Sequence, residues 1–196
     1  MAHHVYQTDG FVIGGRDISE ANRYCELFTR ELGLVRAVAR SIRKEKSKLR
    51  YHMQDFSRAR IALVRGREVF RLTGAVSYDN LYIKLKGSPE KLNTLARIIW
   101  LLKRLVHGEG RNDYLFSSFS HGVEYLLEKA SQEELRDVEN IVALRILFSL
   151  GYLPSSSSLE PILESTEITK KALTCAEGER DKLEVLIGNS IAESHL

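Results

Sequence analysis

Seven basic side chains and a single acid fall between residues 36 and 50: Arg36, Arg40, Arg43, Lys44, Lys46, Lys48 and Arg50, with Glu45 the lone carboxylate. The run from Arg43 to Arg50 cannot enter a core, because an unpaired buried charge costs several kcal/mol. It reads as an exposed loop or rim between strands. Such a run is commonly no more than a solvated loop, and two features argue for more here. Arg58, Arg60, Arg65, Arg67 and Arg71 follow it, so residues 36–71 hold 12 basic and 3 acidic residues. Aromatic residues are interleaved, namely Tyr24, Phe28, Tyr51, Phe56 and Phe70; most must serve a core, and Tyr51 is the candidate for exposure. A basic groove holds a phosphate backbone by releasing its counterions, and exposed rings stack on unpaired bases. Arg23 and Arg30 are further candidates for the same role. Each charge would position a strand without reading its sequence.

Motifs for covalent chemistry are missing. There is no glycine–lysine phosphate loop, no GxSxG and no HExxH. Gly14-Gly15 and Gly108-Glu109-Gly110 read as turns. His52, His107, His121 and His195 have no partner at ligand spacing, His3 and His4 make at most a weak pair, and Asp9, Asp17 and Glu20 are the only early acidic group. Cys25 and Cys175 stand alone, which fits free thiols in a reducing compartment. The expectation is a non-enzymatic protein without metal or cofactor.

The formal net charge of +3 hides a segregation: residues 1–80 hold 15 basic and 9 acidic residues, and residues 81–196 hold 14 and 17. The first part calls for an anionic partner. No apolar run reaches the ~18 residues of a membrane span, and Tyr6, Thr8 and Asp9 stand where a signal peptide would be apolar. A cytoplasmic protein that makes no membrane contact is expected.

These charges need a scaffold. The segments at 5–13, 23–29, 34–42, 61–64 and 69–73 read as short strands, with Gly33 at a connection and a hairpin at 65–68. Five short strands with basic turns fit a small barrel or sandwich such as the five-stranded OB-fold; length alone fits an SH3-like barrel equally. After Gly87 the period changes. Ser88-Pro89-Glu90 is a helix start, and Leu92, Leu95, Ile98, Ile99, Leu102, Leu105 and Val106 follow helical spacing. Further helices are expected at about 113–129, from 133 or 134 to Gly151, and around 160–174 and 177–192, with a serine linker at 155–158. The expected organisation is α+β: a basic barrel domain at 1–80 and a helical domain at 81–196. On the first of these helices Trp100 lies beside Lys103 and Arg104. A groove edged by these residues or by Arg111 would suit an acidic, apolar-ended peptide.

Several ordered motifs resemble the RecO family of bacterial recombination mediators. They are Thr8-Asp9-Gly10-Phe11-Val12, Glu20-Ala21-Asn22-Arg23, Leu27-Phe28-Thr29-Arg30-Glu31-Leu32-Gly33, Ser47-Lys48-Leu49-Arg50 and Leu150-Gly151-Tyr152-Leu153-Pro154. The resemblance implies an N-terminal OB-fold and a helical C-terminal domain. It further implies binding of single- and double-stranded DNA, annealing of complementary strands, and recombinase loading with RecR, in a nucleoid-associated setting. The acidic C-terminal tail of the single-stranded-DNA-binding protein is the other implied partner. Many family members carry four cysteines after the Leu-Gly-Tyr motif; Ser155 to Ser158 stand there in this chain, so no zinc module is expected. The chain also looks short for the family at its C-terminal end. The rival readings are a protein-interaction adaptor and an RNA-binding module without annealing activity.

Overall fold

The computed structural model describes residues 4–153 and 156–193; His3, Pro154, Ser155 and His195 lie outside the described residues. The chain forms two compact units, Met1–Lys84 with Gly108–Asn112, and Leu85–His107 with Asp113–Leu196.

The first unit is built from β1 (Val5–Asp17), β2 (Arg23–Thr29), β3 (Gly33–Ala39), the short helix α1 (Leu49–His52), β4 (Ser57–Arg65) and β5 (Phe70–Asn80), with α2 (Leu81–Leu85) following. The five strands close into a barrel in the order β1-β2-β3-β5-β4. All pairings are antiparallel except β3 with β5. Alternation along β3 shows why the register is fixed. Val35, Ala37 and Ala39 point into the core while Leu34, Arg36 and Val38 point out. A one-residue slip would turn the Arg36 guanidinium inward, at a cost of several kcal/mol.

Several details differ from the sequence expectation: β4 (Ser57–Arg65) and β5 (Phe70–Asn80) are longer than the expected 61–64 and 69–73. Gly14-Gly15 is no turn; it lies inside β1, just past a register shift between Val12 and Gly14. Strand β3 stops at Ala39 instead of reaching Ile42, because Ser41 takes φ 54° and breaks the extended run. Residues 49–52, expected within a loop, make the single turn α1, and the Met53 and Ile42 side chains beside it plug the core.

Gly33 is required by two independent constraints. Its φ is +68°, and a Cβ there would sit 2.4 Å from the Gly110 carbonyl oxygen. The segment 108–112 lies against the strand at this point: Gly33 bridges Glu109, the Gly110 N–H donates to the Leu32 carbonyl at 3.1 Å, and Arg65 pairs with the Glu109 carboxylate. Gly33→Ala is expected to destabilise the barrel by about 2–4 kcal/mol, combining left-handed strain with a backbone clash. Urea unfolding checks this; an unchanged midpoint would refute it.

The second unit contains α3 (Pro89–Leu105), α4 (Asp113–Glu128), α5 (Leu135–Ser149), α6 (Glu160–Leu163), α7 (Lys170–Gly178) and α8 (Arg180–Glu193). Helix α5 is buried along most of its length and is central, touching α3, α4, α6, α7 and α8. Helix α4 approaches it closely at Gly122, where a Cβ would lie 2.5 Å from Val142 Cγ2. Helix α5 ends as its sequence predicts: Gly151 has φ +81°, its N–H donates to Phe148 O, and the Tyr152 N–H donates to Leu147 O. This is a Schellman closure. The expected helix at 160–174 is instead two, α6 and α7. The Arg145 side chain holds the intervening carbonyls, and Thr169 caps α7 by accepting from the Ala172 N–H at 3.2 Å.

Candidate nucleic-acid interface

The basic segment is an anchored loop. Asn22, in the β1–β2 turn, accepts the Ser41 N–H on its Oδ1 at 2.9 Å, and the Ala21 carbonyl accepts the Arg43 N–H at 3.1 Å. Ile42 is buried between them. Turns then bring the Lys44 N–H to Ser41 O and the Ser47 N–H to Lys44 O. The loop therefore has a defined course, on which Arg40, Arg43, Lys44, Lys46, Lys48 and Arg50 are all exposed. Arg43 also braces the loop, donating to Ser19 O at 2.9 Å and lying 3.2 Å from Asp17. An open cleft of about 310 Å³ between the two turns is lined by Arg23, Arg43 and Arg50 and by the carboxylates of Asp17 and Glu20.

The other sequence-derived candidates divide. Arg36 faces outward on β3, opposite Glu26. The half-buried Arg23 is held bidentately by Asp55 at 2.7 and 2.8 Å, so its charge is already engaged in tying β2 to the α1–β4 connection. Arg30 is half-exposed at the end of β2, where its N–H donates to Asp9 O at 3.0 Å.

The strands add residues that the sequence did not single out as site residues. Cross-strand pairing aligns Arg16 with Tyr24, Tyr24 with Val38, and Val38 with Arg71. The Arg16 guanidinium carbon lies 5.8 Å from the Tyr24 ring centroid. An aromatic ring and a valine thus lie between two arginines on the outer face of β1, β2, β3 and β5. The signal for Arg16 was hidden by the bulge in β1, which shifts the inward–outward alternation beyond Val12.

Of the peptide-groove candidates, Trp100 is exposed on α3 with the Arg104 guanidinium carbon 5.2 Å from its ring centroid, and Lys103 is exposed on the same helix. Arg111 belongs to the segment that packs with the barrel, in the other compact unit.

Cys25 is fully buried, and burial pushes its thiol up to about 11. Among the described residues no group of three or more His, Cys, Asp or Glu side chains could hold a metal ion. No helix among them is long and apolar enough to cross a membrane.

Residues 1–80 match the family described as Recombination protein O N terminal. The chain is 27% identical to the DNA repair protein RecO of Dehalococcoides mccartyi strain CBDB1, over 77% of this chain and 58% of the relative. It is 31% identical to that of Roseiflexus sp. strain RS-1, over 79% and 53%, and 40% identical to that of Desulfitobacterium hafniense strain DCB-2, over 76% and 53%. The likeness to RecO proteins thus covers the family's N-terminal domain at residues 1–80, and these relatives carry it through about three quarters of the chain. The matched regions span about half to three fifths of the relatives' own length.

Proposed function

We propose that this protein is a non-enzymatic DNA-binding recombination mediator acting in DNA repair. It binds single- and double-stranded DNA, anneals complementary strands and assists recombinase loading together with RecR. The barrel is read as an OB-fold: five strands close it, β3 pairs parallel with β5, and an outward β2–β3 face lies beside a long basic loop. The observation that carries the reading is the anchored loop. Asn22 and Ala21 fix its course, and Lys44, Lys46, Lys48 and Arg50 are displayed from it to solvent. Charges fixed before binding lose less freedom when a phosphate chain arrives. Annealing follows if two strands are held with phosphates neutralised and bases left uncovered. Trp100, Lys103 and Arg104, all on α3, are proposed as contacts for the acidic tail of the single-stranded-DNA-binding protein; charge reversal at Lys103 and Arg104 should abolish binding of a tail peptide without unfolding the protein.

The test is fluorescence anisotropy of labelled single-stranded DNA across a salt series. Several phosphate contacts should give a log–log slope of about −0.7 per contact, so a slope near −3 is expected for four or five. No binding by the folded protein at low salt would sink the reading in favour of an adaptor. A marked preference for RNA over DNA of equal length would favour an RNA-binding module.

A further inference from the structure

The most exposed tyrosines of the barrel unit lie outside the face described above. Tyr51 is 72% exposed, Tyr78 55% and Tyr82 51%, with Val76 and Ile83 also exposed beside the latter two. Hydrogen bonds link the backbone segments that carry them. His52 Nδ1 accepts the Ser77 N–H at 3.2 Å, which joins the residue after Tyr51 to the residue before Tyr78. Asn80 Nδ2 donates to Asp55 O at 3.0 Å, and the Leu81 N–H donates to Phe56 O at 2.9 Å, which ties the start of α2 to the α1–β4 connection. Asn80 Oδ1 then accepts the Ile83 N–H at 3.1 Å and orders the turn that carries Tyr82.

The rings are accompanied by positive charge. Tyr51 directly follows Arg50 and closely follows Lys48 at the end of the basic loop. Val76 pairs across the strands with Arg60, and the Tyr78 hydroxyl donates to Asp9 Oδ1 at 2.6 Å, which fixes the ring's direction. Arg58 and Lys84 lie within 2.8 Å of Asp79, their shared counter-charge. Held aromatic faces next to arginines and lysines suit unpaired bases, whose π-faces stack without regard to sequence. A duplex hides those faces.

We propose that an unpaired strand held on the basic loop continues past α1 onto Tyr51, Tyr78 and Tyr82. This lengthens the site proposed above and rests on that DNA-binding reading. The patch adds affinity only for strands long enough to reach it and only when they are single-stranded.

The experiment compares wild type, Tyr78→Ala/Tyr82→Ala and Tyr78→Phe/Tyr82→Phe, each shown to be folded by circular dichroism. Each is titrated with oligothymidylate of about 6 and about 25 nucleotides, lengths that bracket the ~4–16 nucleotides a single small barrel holds. Expected is a loss of roughly tenfold or more for the alanine variant on the long strand, with the short strand unchanged and the phenylalanine variant close to wild type. Unchanged affinity of the alanine variant for the long strand overturns the inference and leaves the patch to a protein partner. An equal loss on both lengths also overturns it. Failure of wild type to bind either oligonucleotide would refute the DNA-binding reading itself, a different result.

Discussion

Arg145→Met is expected to lower the stability of the helical unit by about 3 kcal/mol, from the carbonyl groups it leaves without a donor. Arg145 is completely buried. Its Nε donates to Ile162 O at 2.8 Å, one terminal nitrogen to Thr166 O at 2.8 Å and the other to Glu167 O at 2.9 Å. Burial lowers its pKa to about 10, partly opposed by Tyr114, so it remains charged at neutral pH. A buried charge is expensive, and replacing a whole buried ion pair by apolar groups is often neutral. That offset does not apply here, because the three carbonyls stay behind. One lies near the end of α6 and two in the connection to α7, a stretch α4 also holds: the Tyr114 hydroxyl donates to Leu163 O at 2.8 Å, and His121 Nδ1 lies 3.0 Å from Thr166 Oγ1. Methionine fills much of the volume but supplies no donor. Lysine has the charge but not the planar fork, so Arg145→Lys should fall between the two. Urea unfolding followed by helical circular dichroism measures the difference, and hydrogen exchange should show α7 losing protection first. A change under 1 kcal/mol for the methionine variant would show that the carbonyls find other donors.

This arginine also marks what the sequence could and could not reveal. Strand positions were legible because Val, Ile and Phe alternate with polar residues over short runs, and α3 because Ser88-Pro89-Glu90 precedes a helical period. The Gly151 closure was legible from one residue. The break between α6 and α7 was not read: Thr169 is a local cap signal, but the guanidinium that holds the connecting carbonyls lies far away in sequence. The bulge in β1 was hidden for a related reason. Two adjacent glycines signal a turn as readily as a close backbone approach, and only the partner strand decides, since a Cβ on Gly15 would lie 2.3 Å from Tyr24 O. The motifs that carry the family resemblance prove to be largely scaffold. Thr8 bonds to the Glu31 carboxylate, Asp9 O accepts the Arg30 N–H, and Asn22 holds Ser41. The charges expected to do the binding sit on the loop these contacts fix. Legibility was thus high for the loop's charge and poor for its course, which decides that Arg43 braces the loop while Lys44, Lys46 and Lys48 are displayed.

That distinction sets the design of the variant with the largest expected effect on binding, Lys44→Gln/Lys46→Gln/Lys48→Gln. Arg43 is left in place because its bonds to Ser19 and Asp17 help hold the loop, and its removal would mix lost charge with lost order. Glutamine keeps length and polarity, and the three lysines are exposed, so stability should change by no more than about 0.5 kcal/mol. If each lysine meets a phosphate, each loss removes about 0.7 from the log–log salt slope on single strands. The triple variant should therefore show a slope shallower by about 2. Its affinity at low salt should fall by roughly 10²-fold or more, and the two proteins should converge as salt rises, because the lost term is the one that salt itself screens. A fall in affinity with an unchanged slope would mean that the lysines act through loop structure and make no phosphate contacts. An unchanged slope and unchanged affinity would move the phosphate path off the loop, onto the outer strand face bordered by Arg16 and Arg71. In that case Tyr24→Ala should then produce the larger loss.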